Sequence, residues 1–385
     1  MSAVMPAKAA SKWSLTGLRD RLLASPAFQR WASQSIFLRW IVHRQSRQLF
    51  DLVAGFAYSQ TLLALVQSGL LDQLRRAPMR LESAASLCKL TDARMLLLAK
   101  AGVSIGILEW RAPNVLGLGM QGVVLANSPA ILAMVRHHEA FYQDLTDPLT
   151  LLRTDAPETR MRRYWTYASD GQTREGGLGA SEVTDYSKLM AESQPLVAQQ
   201  VIDAYDFRGH TQLLDIGGGL GRFVTAVGHA HAHLQLGLVD LPAVAQQAAD
   251  AMATDSRLSG RVTCHGADFF RDPLPQGADV VSLVRVLYDH PDDRVSLLLS
   301  RARQCFGAKG GRILIAEPMA ATRGAEAMGD AYFGWYLLAM GGGRPRSAAE
   351  LIDMLHRAGF VQGRAVTTAV PLQTGLVVAE APATQ

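Results

Sequence analysis

Cysteine is scarce: Cys88, Cys264 and Cys305 are three in 385 residues, far apart and odd in number. That excludes a disulfide framework and a cysteine-held metal cluster, and it fits a reducing compartment, the cytoplasm. Charge is sparse as well, at 19% of residues against 49% hydrophobic, which excludes a largely disordered chain. Long apolar runs are missing. The longest apolar segments, around 49–71 and 331–343, are broken by Asp51, Gln60 and Gln67 or are too short to span a bilayer. No N-terminal apolar stretch of signal-peptide form is present. What these absences leave is a globular chain, soluble or peripherally attached, and long enough for two domains.

The positive charge is concentrated. Residues 1–48 hold Lys8, Lys12, Arg19, Arg21, Arg30, Arg39, Arg44 and Arg47 against Asp20 alone, a net of +7 that leaves −3 for the rest of a +4 chain. The arm alternates these groups with narrow apolar faces such as Leu15, Leu18 and Leu22. Narrow faces favour packing on the body over contact with an anionic membrane surface.

From about 49 to 125 helical periodicity dominates, with Thr91 placed to cap a helix and Gly102 near its end. "APNVLGLGMQGVVLAN" reads as two short strands around Gly119. Helix, turn, helix and strand pair make a winged-helix pattern. Its second helix carries only Arg94 and Lys100, offset by Asp92, which is too little charge to track a phosphate backbone. A structural or dimerising role is expected, with no nucleic-acid partner. Residues 127–180 turn aromatic and polar. After residue 209 strands and helices alternate, from "TQLLDIG" through "GGRILIAEPM" to a closing pair, "RAVTTAV" and "TGLVVAEA". That rhythm predicts an α/β fold with a doubly wound, mostly parallel sheet and a final antiparallel hairpin.

Ligands on such sheets bind beyond the carboxyl ends of the strands, and three acids fall there. "LLDIGGGLGR" puts Asp215 before Gly217, Gly218, Gly219 and Gly221, which let the backbone approach a ligand at a helix N-terminus. Arg222 spoils the dinucleotide fingerprint, and an acid is a poor neighbour for a pyrophosphate; this disfavours a nicotinamide oxidoreductase. An acid there suits an ammonium or sulfonium group. "LVDLP" offers Asp240 to a ribose hydroxyl, 21 residues after Gly219, and "GADFF" offers Asp268 to an adenine amino group with Phe269 as an apolar wall. Each acid alone reads as a solvated strand end or cap. Together they point to S-adenosylmethionine.

These motifs, with "RVLYDHPDD" and "ILIAEPM", resemble in order and spacing those of S-adenosylmethionine-dependent O-methyltransferases of the caffeic-acid type. The resemblance covers about residues 49–383 and implies a Rossmann-like class I methyltransferase domain over 181–385. Before it would stand a helical, winged-helix-like dimerisation domain over 49–180, following the basic arm of 1–48. A homodimer and a substrate pocket shared between domains are implied as well. Within the family, "SEVTDYSKLMAESQPLVAQQVIDAYDF" and "LYDHPDD" are most similar to the bacterial carotenoid branch, which methylates the tertiary 1-hydroxyl of acyclic carotenoids (hydroxyneurosporene, demethylspheroidene). That implies peripheral contact with the inner or intracytoplasmic membrane. Another acceptor on the same fold, phenolic or polyketide, is the rival, and a ligand-binding winged-helix regulator a more distant one.

By position, the resemblance assigns Asp215, Gly217 and Gly219 to the methionine end of the cofactor, Asp240 to its ribose, Asp268 and Phe269 to its adenine, and Arg285 to the same cofactor set. Met190 matches a methionine lining the substrate pocket, although a helix methionine is more often core. No metal is implied. Two departures matter. Where plant members have a catalytic histidine before Asp, this chain has Tyr288 before Asp289, with His290 two positions on; and of two glutamates that support that histidine, Glu317 matches one while Pro345 stands at the other. Pro291 biases His290 toward an extended conformation, in which residues two apart share a face. Tyr288 and His290 are therefore expected to point together, with His290 the base, Tyr288 its partner and Asp289 turned away. Asp292 and Asp293 read as first-turn residues of the next helix.

Overall fold

The computed structural model describes residues 15–154, 158–163, 194–371 and 373–383. The chain divides into two compact units, residues 1–124 and 125–385.

The first unit opens with three helices, α1 (Leu15–Ala24), α2 (Pro26–Gln34) and α3 (Arg39–Gln67). α1 buries no residue and α2 only Ala32. Leu15 and Phe37 are 88% and 83% exposed, so the expected packing of the arm is not met at these residues. By length and composition alone, α3 is long and apolar enough to cross a membrane. Its last turns, however, bury Leu63, Leu65 and Val66. There follow α4 (Leu70–Leu74), β1 (Met79–Arg80), α5 (Leu81–Leu87), α6 (Asp92–Ser104), β2 (Leu108–Ala112) and β3 (Val115–Leu118), with the sheet ordered β1-β3-β2. Thr91 caps α6 as expected, accepting from the Arg94 amide. The strand pair turns at Pro113–Asn114 rather than around Gly119: Ala112 pairs with Val115, and Asn114 takes φ +58°. Asparagine tolerates that left-handed conformation, and the stretch after Gly119 continues as a helix.

The second unit carries a seven-stranded sheet of order β6-β5-β4-β7-β8-β10-β9. Its strands are β4 (Gln212–Ile216), β5 (Gln235–Asp240), β6 (Val262–Gly266), β7 (Val280–Val284), β8 (Gly311–Glu317), β9 (Val361–Val366) and β10 (Gly375–Ala381). β4 to β8 pair in parallel, and β10 runs antiparallel to both β8 and β9. Every residue of β7 is buried, as a strand covered on both faces must be. The apolar core continues on either side, around Leu283, Ile313 and Ile315 and around Leu213, Leu236 and Leu314. The carboxyl ends of β4, β5, β7 and β8 thus lie side by side.

One buried cation holds the turn that leaves β7. Arg346 is fully buried. Its Nη1 donates to Leu287 O at 2.9 Å, its Nη2 to His290 O at 2.8 Å, and Nε and Nη2 both donate to Asp292 Oδ1. The segment before it comes close enough because position 343 is glycine at φ +78°, where a Cβ would fall 2.1 Å from Tyr288 O. Asp292 leads the helix Asp292–Arg303, where its charge also suits the helix dipole. The Arg344 and Arg346 guanidiniums together hold the Asp292 carboxyl below its usual range.

Replacing Arg346 with methionine removes donors from two backbone carbonyls. Leu287 O keeps the His290 amide at 3.1 Å and Asp292 is half exposed, so both are discounted, and the expected loss is about 1–3 kcal/mol of unfolding free energy, chiefly from the orphaned His290 carbonyl. Arg346→Lys keeps the charge but not the fork and should recover only part of it. Urea denaturation measures both. An unchanged midpoint in the methionine variant would mean that water replaces the guanidinium without cost.

Candidate active site

Asp215 is the penultimate residue of β4 and is 1% exposed, with Ser282 Oγ donating to its Oδ1 at 2.6 Å from neighbouring β7. Burial pushes its carboxyl up to about 7, the Ser282 hydroxyl opposing and Asp240 adding to the rise. A cation brought beside it would restore the carboxylate, so the site is built to gain from a positively charged ligand. The glycine turn that follows has φ +73° at Gly217 and +53° at Gly219. A Cβ at Gly217 would lie 2.8 Å from Val286 Cγ2 and 3.6 Å from Phe269 Cε1, while one at Gly219 would meet nothing within 4 Å. The turn is therefore tight against the protein on one side and open on the other.

Asp240 ends β5. Its Oδ2 accepts from the Gly219 amide and its Oδ1 from the Leu241 amide, both at 2.8 Å. A carboxylate has about four acceptor positions, so two remain for a vicinal diol. Burial raises this carboxyl as well, against those two amides. Asp268 lies beyond the end of β6 in a turn of its own making: Oδ1 accepts from the Phe270 amide at 2.8 Å, and Arg271 stands 3.5 Å from Oδ2. Phe269 and Phe270 pack beside it with ring centroids 4.7 Å apart. An acid suited to a cation, a cradle without side chains, a diol acceptor and an aromatic wall, in that order along the strand ends, fit the parts of S-adenosylmethionine.

The turn after β7 departs from the expected geometry. Arg285 takes φ +58°, its amide bonded to Ala316 O at 2.8 Å, and residues Leu287–Asp289 form a 3-10 turn. Non-glycine residues in that region are strained and concentrate at functional sites. With three residues per turn in place of two, alternation is lost, and Tyr288 and His290 do not make a pair. Tyr288 is buried in a cluster with Phe141 and Tyr336, 6.2 Å from the Phe333 ring, and Arg285 Nε donates to its hydroxyl at 3.4 Å. Burial raises its phenol. His290 turns to Phe269 and Phe270, at 6.1 and 5.0 Å, in T-shaped contacts. Burial, with Arg294 and Arg346 nearby, lowers His290 to about 4. Asp289 is half-buried, and burial holds its carboxyl well above the usual range, Arg285 opposing and Glu317 adding.

Glu317, at the end of β8, is fully buried, and its Oε2 accepts from the Tyr288 amide at 3.1 Å. Burial pushes it up to about 7. It supports the turn's backbone rather than a histidine ring. Met190 lies outside the described residues. Sequence reasoning passed over Arg346 and the adjacent histidines His137 and His138, whose Nε2 atoms reach Tyr336 Oη at 3.2 Å and Tyr332 Oη at 2.8 Å. The doublet "HH" on an otherwise apolar helix face was the available signal for the second.

Residues 142–361 match the O-methyltransferase domain family. Over 361 residues the chain is 41% identical to the demethylspheroidene O-methyltransferase of Cereibacter sphaeroides, covering 94% of this chain and 93% of that one. Identity is 36% to the protein of the same name in Rhodobacter capsulatus, with 88% and 83% covered. Among solved structures, human N-acetylserotonin methyltransferase in complex with SAM superposes with a TM-score of 0.70 at 21% identity, covering 88% of this chain and 98% of that one, a likeness of fold. With the strand-end acids in place and the family matched over more than half its length, the chain belongs to the S-adenosylmethionine-dependent O-methyltransferases.

Proposed function

We propose that this O-methyltransferase acts on the tertiary 1-hydroxyl of an acyclic carotenoid of the demethylspheroidene or hydroxyneurosporene kind, in carotenoid biosynthesis. The observation that carries this reading is the end-to-end likeness to two proteins named for that reaction. Supporting it, the plant-type histidine position is a tyrosine whose phenol burial keeps protonated, among Phe141, Phe333 and Tyr336. Such a group donates or shares a hydrogen bond but is no strong base, which suits an aliphatic alcohol better than a phenol. The proton of a tertiary alcohol leaves late, as the new bond forms.

S-adenosylmethionine supplies a methyl group on a sulfonium sulfur for in-line displacement. The chain supplies position. Asp215 and the backbone at Gly217 and Gly219 hold the methionyl end, Asp240 the ribose, and Asp268 with Phe269 the adenine. His290, resting on Phe269 and Phe270, is placed at this cofactor end instead of serving as the base. On the acceptor side Arg285 fixes the Tyr288 hydroxyl and lies near the raised Asp289 carboxyl. Glu317 and Arg346 keep the turn in shape.

We also propose a homodimer that covers the exposed apolar face of α3, where Leu49, Phe50, Leu52, Val53 and Phe56 are all more than half exposed. The basic arm, with Leu15, Trp31 and Phe37 exposed beside its arginines, would rest on the cytoplasmic side of the membrane that dissolves the substrate.

Incubating the protein and cofactor with demethylspheroidene should give the methyl ether by mass spectrometry; a phenol methylated in its place would refute the carotenoid reading. Asp240→Ala is expected to weaken S-adenosylmethionine binding by about 1–3 kcal/mol in calorimetry. His290→Ala should likewise raise Kd more than it lowers the single-turnover rate. A rate loss of roughly 10²-fold at unchanged affinity would return His290 to the role of base. For the arm, deletion of residues 1–38 should abolish salt-sensitive sedimentation with anionic vesicles, and equal sedimentation with and without the arm would assign it to packing.

A further inference from the structure

His137 and His138 sit midway along the helix Pro129–Asp144 and each meets a tyrosine. The second of those tyrosines stands at an unusual place. Residues Ala327–Tyr332 form a π turn that runs into the α-helix Phe333–Met340, so Tyr332 is the residue at which the wide turn ends. Such turns are rare and concentrate at functional sites. Gly329 within it lies directly on the backbone beyond Glu317, where a Cβ would fall 2.4 Å from Met319 O. The turn is therefore fixed to the end of β8, beside the Tyr288 turn that Glu317 supports.

The Tyr332 ring packs edge-on against Phe141 at 6.1 Å and Phe333 at 5.0 Å and stacks on Tyr336 at 5.8 Å. Its hydroxyl is 2.8 Å from His138 Nε2. Burial raises this phenol; Arg285 opposes the rise, and Tyr288 and Tyr142 add to it, so the same Arg285 and Tyr288 that mark the acceptor side also bear on Tyr332. His138 is pushed down to about 4 by burial and is neutral near pH 7. Tyr288, by contrast, takes a bond from a guanidinium, and no described imidazole bonds to it.

We propose that Tyr332 and His138 form the proton outlet of the methyl-transfer site, with Tyr332 touching the acceptor hydroxyl and His138 positioned behind it to receive the proton. The inference borrows from the carotenoid reading only the identity of the acceptor. As a lone pair of the acceptor oxygen forms the new carbon–oxygen bond, the electrons of the carbon–sulfur bond stay with sulfur. The acceptor's proton passes to the Tyr332 oxygen while the Tyr332 proton passes to His138 Nε2. The phenol ends as it began, and the imidazolium later loses its proton to solvent. His138 must start with its proton on Nδ1. Its weak basicity is no obstacle, since an ether oxygen still carrying a proton is a far stronger acid than an imidazolium, and the transfer comes late.

Tyr332→Phe and His138→Gln test this in single-turnover methyl transfer, alongside cofactor binding by calorimetry. Glutamine keeps an acceptor for the Tyr332 hydroxyl but takes no proton. Both variants are expected to lose roughly 10²-fold or more in rate at unchanged cofactor Kd. Recovery of the wild-type rate by the glutamine variant would reduce His138 to holding the ring and overturn the outlet, as would full activity of Tyr332→Phe. Should the phenylalanine variant fail to fold, the glutamine variant decides. Nitrogen-15 NMR of His138 in the wild-type protein is independent of any acceptor: a neutral ring protonated on Nδ1 is expected, and a proton on Nε2 refutes the proposal. A wild-type protein that ignores carotenoids would sink the substrate reading alone, leaving the NMR result to judge the pair.

Discussion

A single guanidinium decides the shape of the catalytic face. Arg346 gathers Leu287 O, His290 O and the Asp292 carboxylate, three groups spread over six residues. With Glu317, which accepts from the Tyr288 amide, it holds the chain leaving β7 in its 3-10 turn. Two of the tied groups are main-chain carbonyls, which accept from arginine whatever side chains the turn bears. The anchor therefore fixes the backbone and leaves Tyr288, Asp289 and His290 free to differ among proteins that share the fold.

Around this anchor the carboxyls share one electrostatic condition. Asp215, Asp240, Asp289 and Glu317 stand at or just past strand ends, and burial raises all four. The cost of holding ionisable groups in so little water is only partly offset, by a serine hydroxyl, by backbone amides and by Arg285. Asp215 differs from Glu317 in what lies beyond it. One adjoins a turn open to a ligand, and the other is closed in by the turn it supports.

How much of this could be read from the sequence follows from the range of the forces involved. Parallel strands announce themselves by apolar runs, and their ends by acids and glycines, so β4 to β8 and the positions of Asp215 and Asp240 were legible. The turn at 285–289 was not. "VVSLVRVLY" is apolar at both parities, and nothing local says that extension stops at Val284. Part of the reason lies at Arg346, 56 residues beyond His290, in a segment that reads as a lost glutamate site. The π turn was hidden for a similar cause: its sequence, AMGDAY, carries no mark distinguishing a wide turn from an ordinary one. Local periodicity reports elements, whereas long-range side-chain ties determine how they end.

The position of β10 bears on how such a chain reaches its fold. It is inserted between β8 and β9, with Leu376 to Ala379 buried, although it is the last strand in sequence. During synthesis β4 to β8 are complete while β8 still offers a bare, apolar edge. That edge is a template for any extended segment nearby, including one from another nascent chain. Its protection arrives only with the final hairpin, so for this protein the hazardous interval of biogenesis is the time between making β8 and closing it.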